Sequence, residues 1–147
     1  MVILVIGLLI LILIPGFRRA AMTTRSKTVV NDLRVFSIAF QQYRAENTDF
    51  PPDAATGAMP TGMADFLRET NWLATTPIGG RYNWDFNCNQ GGTVYLAAIG
   101  LRSVGSNSVS SVLEQLLQID RLIDDGSLVS GNFFLGAGNE PVFIIEP

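Results

Sequence analysis

The chain has 147 residues, a formal net charge of -3, a single cysteine and no histidine. Without histidine, Ser-His-Asp catalysis, Cys-His catalysis and histidine-bound metals are excluded, and one cysteine can form neither an intramolecular disulfide nor a structural zinc site. The length allows one small domain with one hydrophobic core. We expect the cysteine, Cys88, to be an incidental residue of a β-hairpin, with an intermolecular disulfide as the alternative.

The charges are divided unevenly along the chain. Residues 1–44 carry six Lys or Arg residues and one acidic residue, whereas the remainder carries four basic and twelve acidic residues. This division favours either basic residues that lie beside anionic lipid headgroups, or a basic N-terminal helix that faces the acidic head domains of other subunits in an assembly. No nucleic-acid partner is expected. The basic residues placed to meet lipid headgroups are Arg18, Arg19, Arg25 and Lys27.

The first fourteen residues contain only apolar side chains and Gly7, which predicts a helix that lipid or other apolar helices must cover. At about 1.5 Å per residue they extend roughly 21 Å, less than the roughly 30 Å of a hydrocarbon core. A basic leader and a small-residue cleavage site are both missing from this stretch, so it does not read as a secretory signal peptide. Pro15 predicts a kink or a melted turn between Ile14 and Phe17.

The helix continues beyond Pro15 as an amphipathic segment. It should end near Asn47, because Pro51 and Pro52 follow and the residue before a proline disfavours helix. We therefore expect two units: residues 1–21 as the apolar half of the helix, and residues 22–147 as a head domain that includes the amphipathic half. Apolar residues at helical spacing predict the face that packs on the head: Met22, Val29, Leu33, Phe36, Phe40 and Tyr43.

The rest of the chain predicts four short strands and two minor helices. In the first strand Tyr82, Trp84 and Phe86 alternate with polar residues, which is typical of a half-buried antiparallel strand. The expected strands are 81–86, 93–99, 132–135 and 142–146, with connections at 87–92 and 136–141 and turns at 76–80 and 124–126.

Of the two minor helices, the first is expected at Met63–Glu69. The second is expected at about 109–119, with a start as late as Val112 if Ser111 and Glu114 form a capping box. The predicted fold class is α+β, with a long kinked N-terminal helix packed on a small antiparallel sheet of about four strands.

Several segments resemble a known family. GLLILILIPGF, with Gly7 eight residues before Pro15 and Phe17 two residues after it, resembles the N-terminal segment of type IV pilins and type II secretion pseudopilins. NDLRVFSIAFQQYRAENTDFPP is similar to the second half of their first helix, and TPIGGRYNWD and DDGSLVSGNFF are similar to their head segments. The likeness covers the first fifty or so residues well and the head loosely.

The resemblance implies a non-enzymatic structural subunit of a type IV pilus or a type II secretion pseudopilus. Such a subunit is held in the bacterial inner membrane by a single helix with its head outside the cytoplasm, and is then part of a periplasmic or extracellular filament. The implied partners are copies of the chain or other pilin-like subunits, the inner-membrane assembly machinery, a prepilin peptidase and membrane lipid. The helix positions expected to meet lipid or neighbouring helices are Val2, Val5, Ile6, Gly7, Leu8, Leu11, Ile14, Pro15 and Phe17.

The chain departs from the family pattern at its start. Family members begin the mature chain with a phenylalanine or a similar residue and carry a glutamate early in the helix, and alignment on Gly7 and Pro15 places both upstream of Met1. About seven further residues would add roughly 10 Å to the apolar span. We expect a start at an internal methionine; the alternative is an unusual member that lacks the glutamate.

The side of the membrane on which the head lies is the second departure from the family pattern. The basic residues after the apolar run would place the head in the cytoplasm by the positive-inside rule, whereas the resemblance places it outside. We adopt the orientation that the resemblance implies.

Other functions are less favoured by the sequence. One alternative is a single-span membrane-anchored extracytoplasmic binding module that uses exposed aromatic residues, but Trp72 and Trp84 read as core. A catalytic role for the adjacent carboxylates Asp124 and Asp125 is not expected, because Gly126 indicates a turn. No cofactor is expected. Since some pseudopilins hold calcium in a late loop, calcium at these aspartates is left open, although no EF-hand spacing is present.

Overall fold

The computed structural model describes the backbone from residue 2 to residue 147 and the side chains of residues 16–69 and 71–147. A long N-terminal helix lies on a four-stranded antiparallel sheet, which confirms the predicted fold class. The kink predicted at Pro15 lies outside the residues described in full. The elements are α1 (Val2–Asn47), α2 (Glu69–Trp72), β1 (Arg81–Gln90), β2 (Thr93–Arg102), α3 (Leu113–Ile123), β3 (Phe133–Leu135) and β4 (Pro141–Glu146), with a 3₁₀ turn at Ala137–Asn139.

The sheet has the strand order β1-β2-β4-β3, and every neighbouring pair is antiparallel. The β1–β2 hairpin is longer than expected, because residues 88–90 pair with β2 instead of forming a loop. Gln90 lies opposite Thr93, so only Gly91 and Gly92 make the reversal. Both have positive φ, 62° and 95°, and glycine adopts this conformation without the steric cost that a Cβ would bring.

The core lies between α1 and the sheet and is rich in aromatic rings. Phe40 stacks on Trp84 with 3.7 Å between the ring centroids, and Phe36 meets Trp72 and Tyr82 edge-on at 5.1 and 4.9 Å. All five of these side chains are at most 2% exposed. Large buried rings in such contacts contribute much of the apolar area that stabilises a small domain.

The helix predicted at Met63–Glu69 is wrong in its position. Residues 63–67 form turns in which the Phe66 and Leu67 amides donate to the carbonyl of Met63, at 3.0 and 2.8 Å. Arg68 then has an extended backbone, with φ -72° and ψ 115°, and the single-turn helix α2 begins only at Glu69. The break separates two short turns, each of which places an apolar side chain in the core.

The second minor helix is displaced by about one turn from the predicted range of 109–119. The amide of Ser110 donates to the carbonyl of Ile78 at 2.8 Å, and that of Val109 donates to the hydroxyl of Ser103 at 3.1 Å. These bonds to residues before the segment hold it outside the helix, so α3 starts at Leu113. Its N-cap, Val112, makes no side-chain capping bond, so the predicted capping box is not formed.

Candidate assembly surface and acidic loop

The inner face of α1 carries the predicted apolar stripe. Val29, Leu33, Phe36 and Phe40 are at most 2% exposed. Tyr43 is half-buried and meets Phe66 edge-on at 5.5 Å. Met22, about two turns before Val29, is also half-buried. Together these residues attach the amphipathic half of α1 to the head.

Polar contacts beside this stripe hold α1 on two elements. The Tyr82 hydroxyl donates to the Asp32 carboxylate at 2.9 Å, joining α1 to β1. The Arg34 guanidinium donates to the carbonyl of Leu122 at 2.7 Å, joining α1 to the end of α3. Burial raises the pKa of both Asp32 and Tyr82, and the charge of Asp32 raises that of Tyr82 further.

The outer face of α1 is the side turned away from the head, and it exposes large apolar side chains. Phe17 is 78% exposed, Val35 51% and Ile38 64%. Phe17 was expected at a lipid or helix contact, whereas Val35 and Ile38 were missed. Their position opposite the buried stripe on a helix of 3.6 residues per turn is the signal that could have found them.

Exposed charges are separated along the axis of α1. Towards the N-terminus Arg18, Arg19, Arg25, Lys27 and Arg34 are exposed, and the exposed acidic residues at the other end are Glu46, Asp49, Asp65 and Glu69. The Tyr43–Phe66 contact places the 63–69 segment at the C-terminal end of the helix. The ion pairs found among the described side chains lie elsewhere, between Arg44 and Glu146 and between Arg102 and both Asp85 and Glu140.

The loop after α3 gathers three carboxylates, Asp120, Asp124 and Asp125, whose nearest oxygens lie within 4.8 Å of one another. The Asp124 carboxylate accepts from the amides of Asn132 and Phe133. Asp125 accepts from the Ser127 amide and the Ser130 hydroxyl, both at 2.8 Å.

Asp120 is the unusual member of the cluster. It is fully buried, and neither of its carboxylate oxygens makes a hydrogen bond of normal geometry. Its pKa is raised, first by burial and then by the charges of Asp125 and Asp124, while the facing Gly126 amide lowers it. The sequence had pointed to Asp124 and Asp125 and missed Asp120, although the latter lies one helical turn before Asp124.

The remaining candidate residues are placed as follows. Trp72 and Trp84 are fully buried, and their indole N–H groups donate to the carbonyls of Ala58 and Pro51 at 2.8 and 2.9 Å. They therefore offer no aromatic surface to a ligand. Cys88 is a half-buried free thiol on β1, and burial raises its pKa.

An open groove of about 500 Å³ lies at the tip of the sheet, between the β1–β2 turn and β3. Its walls include Gln90, Tyr95, Val129 and Phe134. Val129 is 92% exposed beside it.

Most of the predicted membrane or filament positions lie outside the residues whose side chains the structure describes: Val2, Val5, Ile6, Gly7, Leu8, Leu11, Ile14 and Pro15. Of the helices that can be assessed over the described residues, none has an apolar stretch long enough to cross a membrane. The division into residues 1–21 and 22–147 stays a prediction.

Comparison with known proteins identifies the architecture. No family model matches the chain, and no curated protein matches it in sequence. Among solved structures, the chain is similar to the major type IV pilin PilA1 from Clostridium difficile, with a TM-score of 0.61 over 86% of this chain and 97% of that one, at 12% sequence identity. The fold is that of a type IV pilin. The pilin fold was expected from the resemblance of the sequence, and the long helix, the four-stranded sheet and the aromatic core between them agree with it.

Proposed function

We propose that this chain is a non-catalytic structural subunit of a pilus-like filament, either a type IV pilus or a type II secretion pseudopilus. The observation that carries the proposal is the pilin fold combined with the 46-residue helix α1. The head packs on the amphipathic half of this helix, and the sequence on the N-terminal side of Pro15 is almost entirely apolar. The solved structure that resembles it belongs to a major type IV pilin.

The apolar half supplies the physical basis of assembly. A helix that satisfies its backbone internally can be held in lipid and then moved into a bundle of similar helices, because both surroundings cover its side chains. In this proposal the subunit waits in the inner membrane with its head outside the cytoplasm, a prepilin peptidase processes it, and the assembly machinery transfers it into the filament.

Expression in a bacterium that has a type IV pilus assembly system tests this function. The chain should be found in filaments sheared from the cells and seen by electron microscopy. Leu8→Arg should abolish its incorporation, because it places a charge in the bundle, while the tryptophan fluorescence of the head stays unchanged; Leu8→Ile is the matched control. A chain that remains monomeric in the membrane would contradict the proposal.

We also propose that the acidic loop binds calcium. Three carboxylates within 4.8 Å fit a hard cation that takes oxygen ligands, and the buried Asp120 carboxylate has no hydrogen-bonding partner of normal geometry. Saturating calcium should raise the melting temperature of the wild type and leave that of Asp120→Asn nearly unchanged, since ligand binding stabilises only the state that holds the site. Equal melting temperatures of the wild type in calcium and in chelator would refute this.

A membrane-anchored binding module is the second candidate function, and the groove beside Tyr95 and Phe134 is the observation that favours it. A groove of this size with apolar and polar walls can hold a small ligand. In this case the head would act as a monomer, and filaments that contain the chain would rule the alternative out.

A further inference from the structure

The outer face of α1 carries apolar and charged side chains that line up with one another. Phe17 and Val35 are 18 residues apart, about five helical turns, and Lys27 and Ile38 are 11 residues apart, about three turns. Glu46 follows Val35 by the same 11 residues. All five are exposed and lie in two rows within about 100° of the helix circumference, so they form one surface, which we call the outer stripe: Phe17, Lys27, Val35, Ile38 and Glu46.

The charges of the outer stripe determine how two copies can meet. If two parallel helices were in register, Lys27 and Arg34 of one copy would face the same residues of the other, and like charges at close range repel. A shift along the axis removes this repulsion. A shift of 19 residues, about 28 Å, places Lys27 of one copy beside Glu46 of the next.

The same shift also matches the apolar residues. Phe17 moved by 19 residues reaches the level of residue 36, between Val35 and Ile38 of the neighbour. These three are the exposed large apolar residues of the described part of α1, at 78%, 51% and 64% exposure. One axial shift thus satisfies two independent features, the charge pair and the apolar contact.

From this we infer that the outer stripe binds a second copy of the chain, parallel and shifted along α1 by about five helical turns, with Lys27 beside Glu46 and Phe17 between Val35 and Ile38. The inference rests on the proposed filament function and specifies the contact within it. The N-terminal half of the stripe carries Phe17 and Lys27, and the C-terminal half carries Val35, Ile38 and Glu46. Because these two halves differ, the contact is heterologous. Each copy can therefore bind one neighbour above and one below, and the array grows without closing.

Disulfide trapping of the full chain in membranes tests the shift. In a Cys88→Ser background, the double variant Lys27→Cys/Glu46→Cys should give a ladder of disulfide-linked multimers after mild oxidation. Either single variant should give dimers at most. The matched control Lys27→Cys/Gln42→Cys uses another exposed position on the outer side of α1 but a shift of 15 residues, and it should give no ladder.

A second set of variants tests the charge pair without cysteine. Lys27→Glu and Glu46→Lys should each reduce the amount of filament, and the double exchange Lys27→Glu/Glu46→Lys should restore it. If each single variant instead reduced the amount of filament by damaging the fold, the double exchange would not restore that amount.

Electron microscopy of the wild type separates the two proposals. Filaments without a ladder from Lys27→Cys/Glu46→Cys would overturn the shift and keep the filament function. A ladder without filaments would keep the shift and overturn the filament function. If neither filaments nor a ladder are found, the shift is overturned as well. A ladder from the control pair in place of the test pair would also refute the shift.

Discussion

Replacing Phe40 with alanine tests the attachment of α1 to the head most directly. The ring of Phe40 is fully buried, stacks on Trp84 at 3.7 Å and meets Trp72 edge-on at 5.4 Å. Truncation removes both contacts and leaves a cavity between two rigid indoles, so we expect a loss of about 3 to 5 kcal/mol in the free energy of unfolding. Phe40→Leu should cost less, because it fills much of the cavity.

Urea unfolding of the full chain in detergent micelles measures this loss. The two tryptophans of the chain both contact Phe40, so their fluorescence reports on the site that is changed. Ile38→Ala is the matched control: Ile38 lies two residues away on the same helix but is 64% exposed, and a surface substitution should change stability by about 0.5 kcal/mol or less. A loss below about 1 kcal/mol for Phe40→Ala would refute the packing of α1 described above.

Three further predictions concern the head. In chelator, Asp120→Asn should raise the melting temperature at pH 7, and this advantage should shrink as the pH falls towards 3.8, because a carboxyl whose pKa is raised by folding destabilises the fold only while it is charged; an advantage that grows on acidification would contradict this. Gly79→Ala should destabilise more than Gly91→Ala in thermal unfolding, because both glycines have positive φ but only at Gly79 would a Cβ strike backbone; equal losses would show that the clash has no effect. Tyr82→Phe should cost about 1 to 3 kcal/mol in urea unfolding, since it removes the hydrogen bond to the half-buried Asp32, and a neutral effect would show that water replaces the hydroxyl.

The architecture could be read from the sequence where the signal is periodic and local. The stripe from Val29 to Phe40 follows the helical period over several turns, so both the helix and its buried face were predictable. The strand that begins at Arg81 was recognised by the alternation of Tyr82 and Trp84 with polar residues. These patterns depend on residues a few positions apart, which a sequence displays directly.

The errors arise where the partner of a segment, rather than the pattern of its own residues, decides the outcome. Residues 88–90 include asparagine and cysteine, which are typical of a loop, yet they pair with β2, because strand preference depends strongly on the partner across the sheet. The bond from the Ser110 amide to the Ile78 carbonyl joins residues more than thirty positions apart, and it delays the start of α3. The Ile78 carbonyl is not visible in the local pattern around α3.

The candidate sites divide in the same way. Asp124 and Asp125 are adjacent and stand out in the sequence, whereas Asp120 lies within α3, and its burial beside them becomes visible only in the folded chain. Val35 and Ile38 stand close to Phe36 and Phe40 in the chain, so only their angular position on the helix separates them from the buried stripe. Mapping apolar residues on both sides of an amphipathic helix would have found them.

The outer stripe has a size that suits assembly by many weak contacts. A stable two-body interface between proteins usually buries about 1,200 to 2,000 Å², far more than three apolar side chains and one exposed ion pair provide. An exposed ion pair contributes only about 0 to 1 kcal/mol. Two heads alone should therefore separate readily, so subunits in a membrane meet through this surface only transiently, which is long enough for disulfide trapping. Once the apolar halves of α1 are bundled, each copy meets its neighbours at a high effective concentration, and the weak contact then sets their axial shift. In this arrangement the apolar half supplies the affinity, and the outer stripe supplies the register.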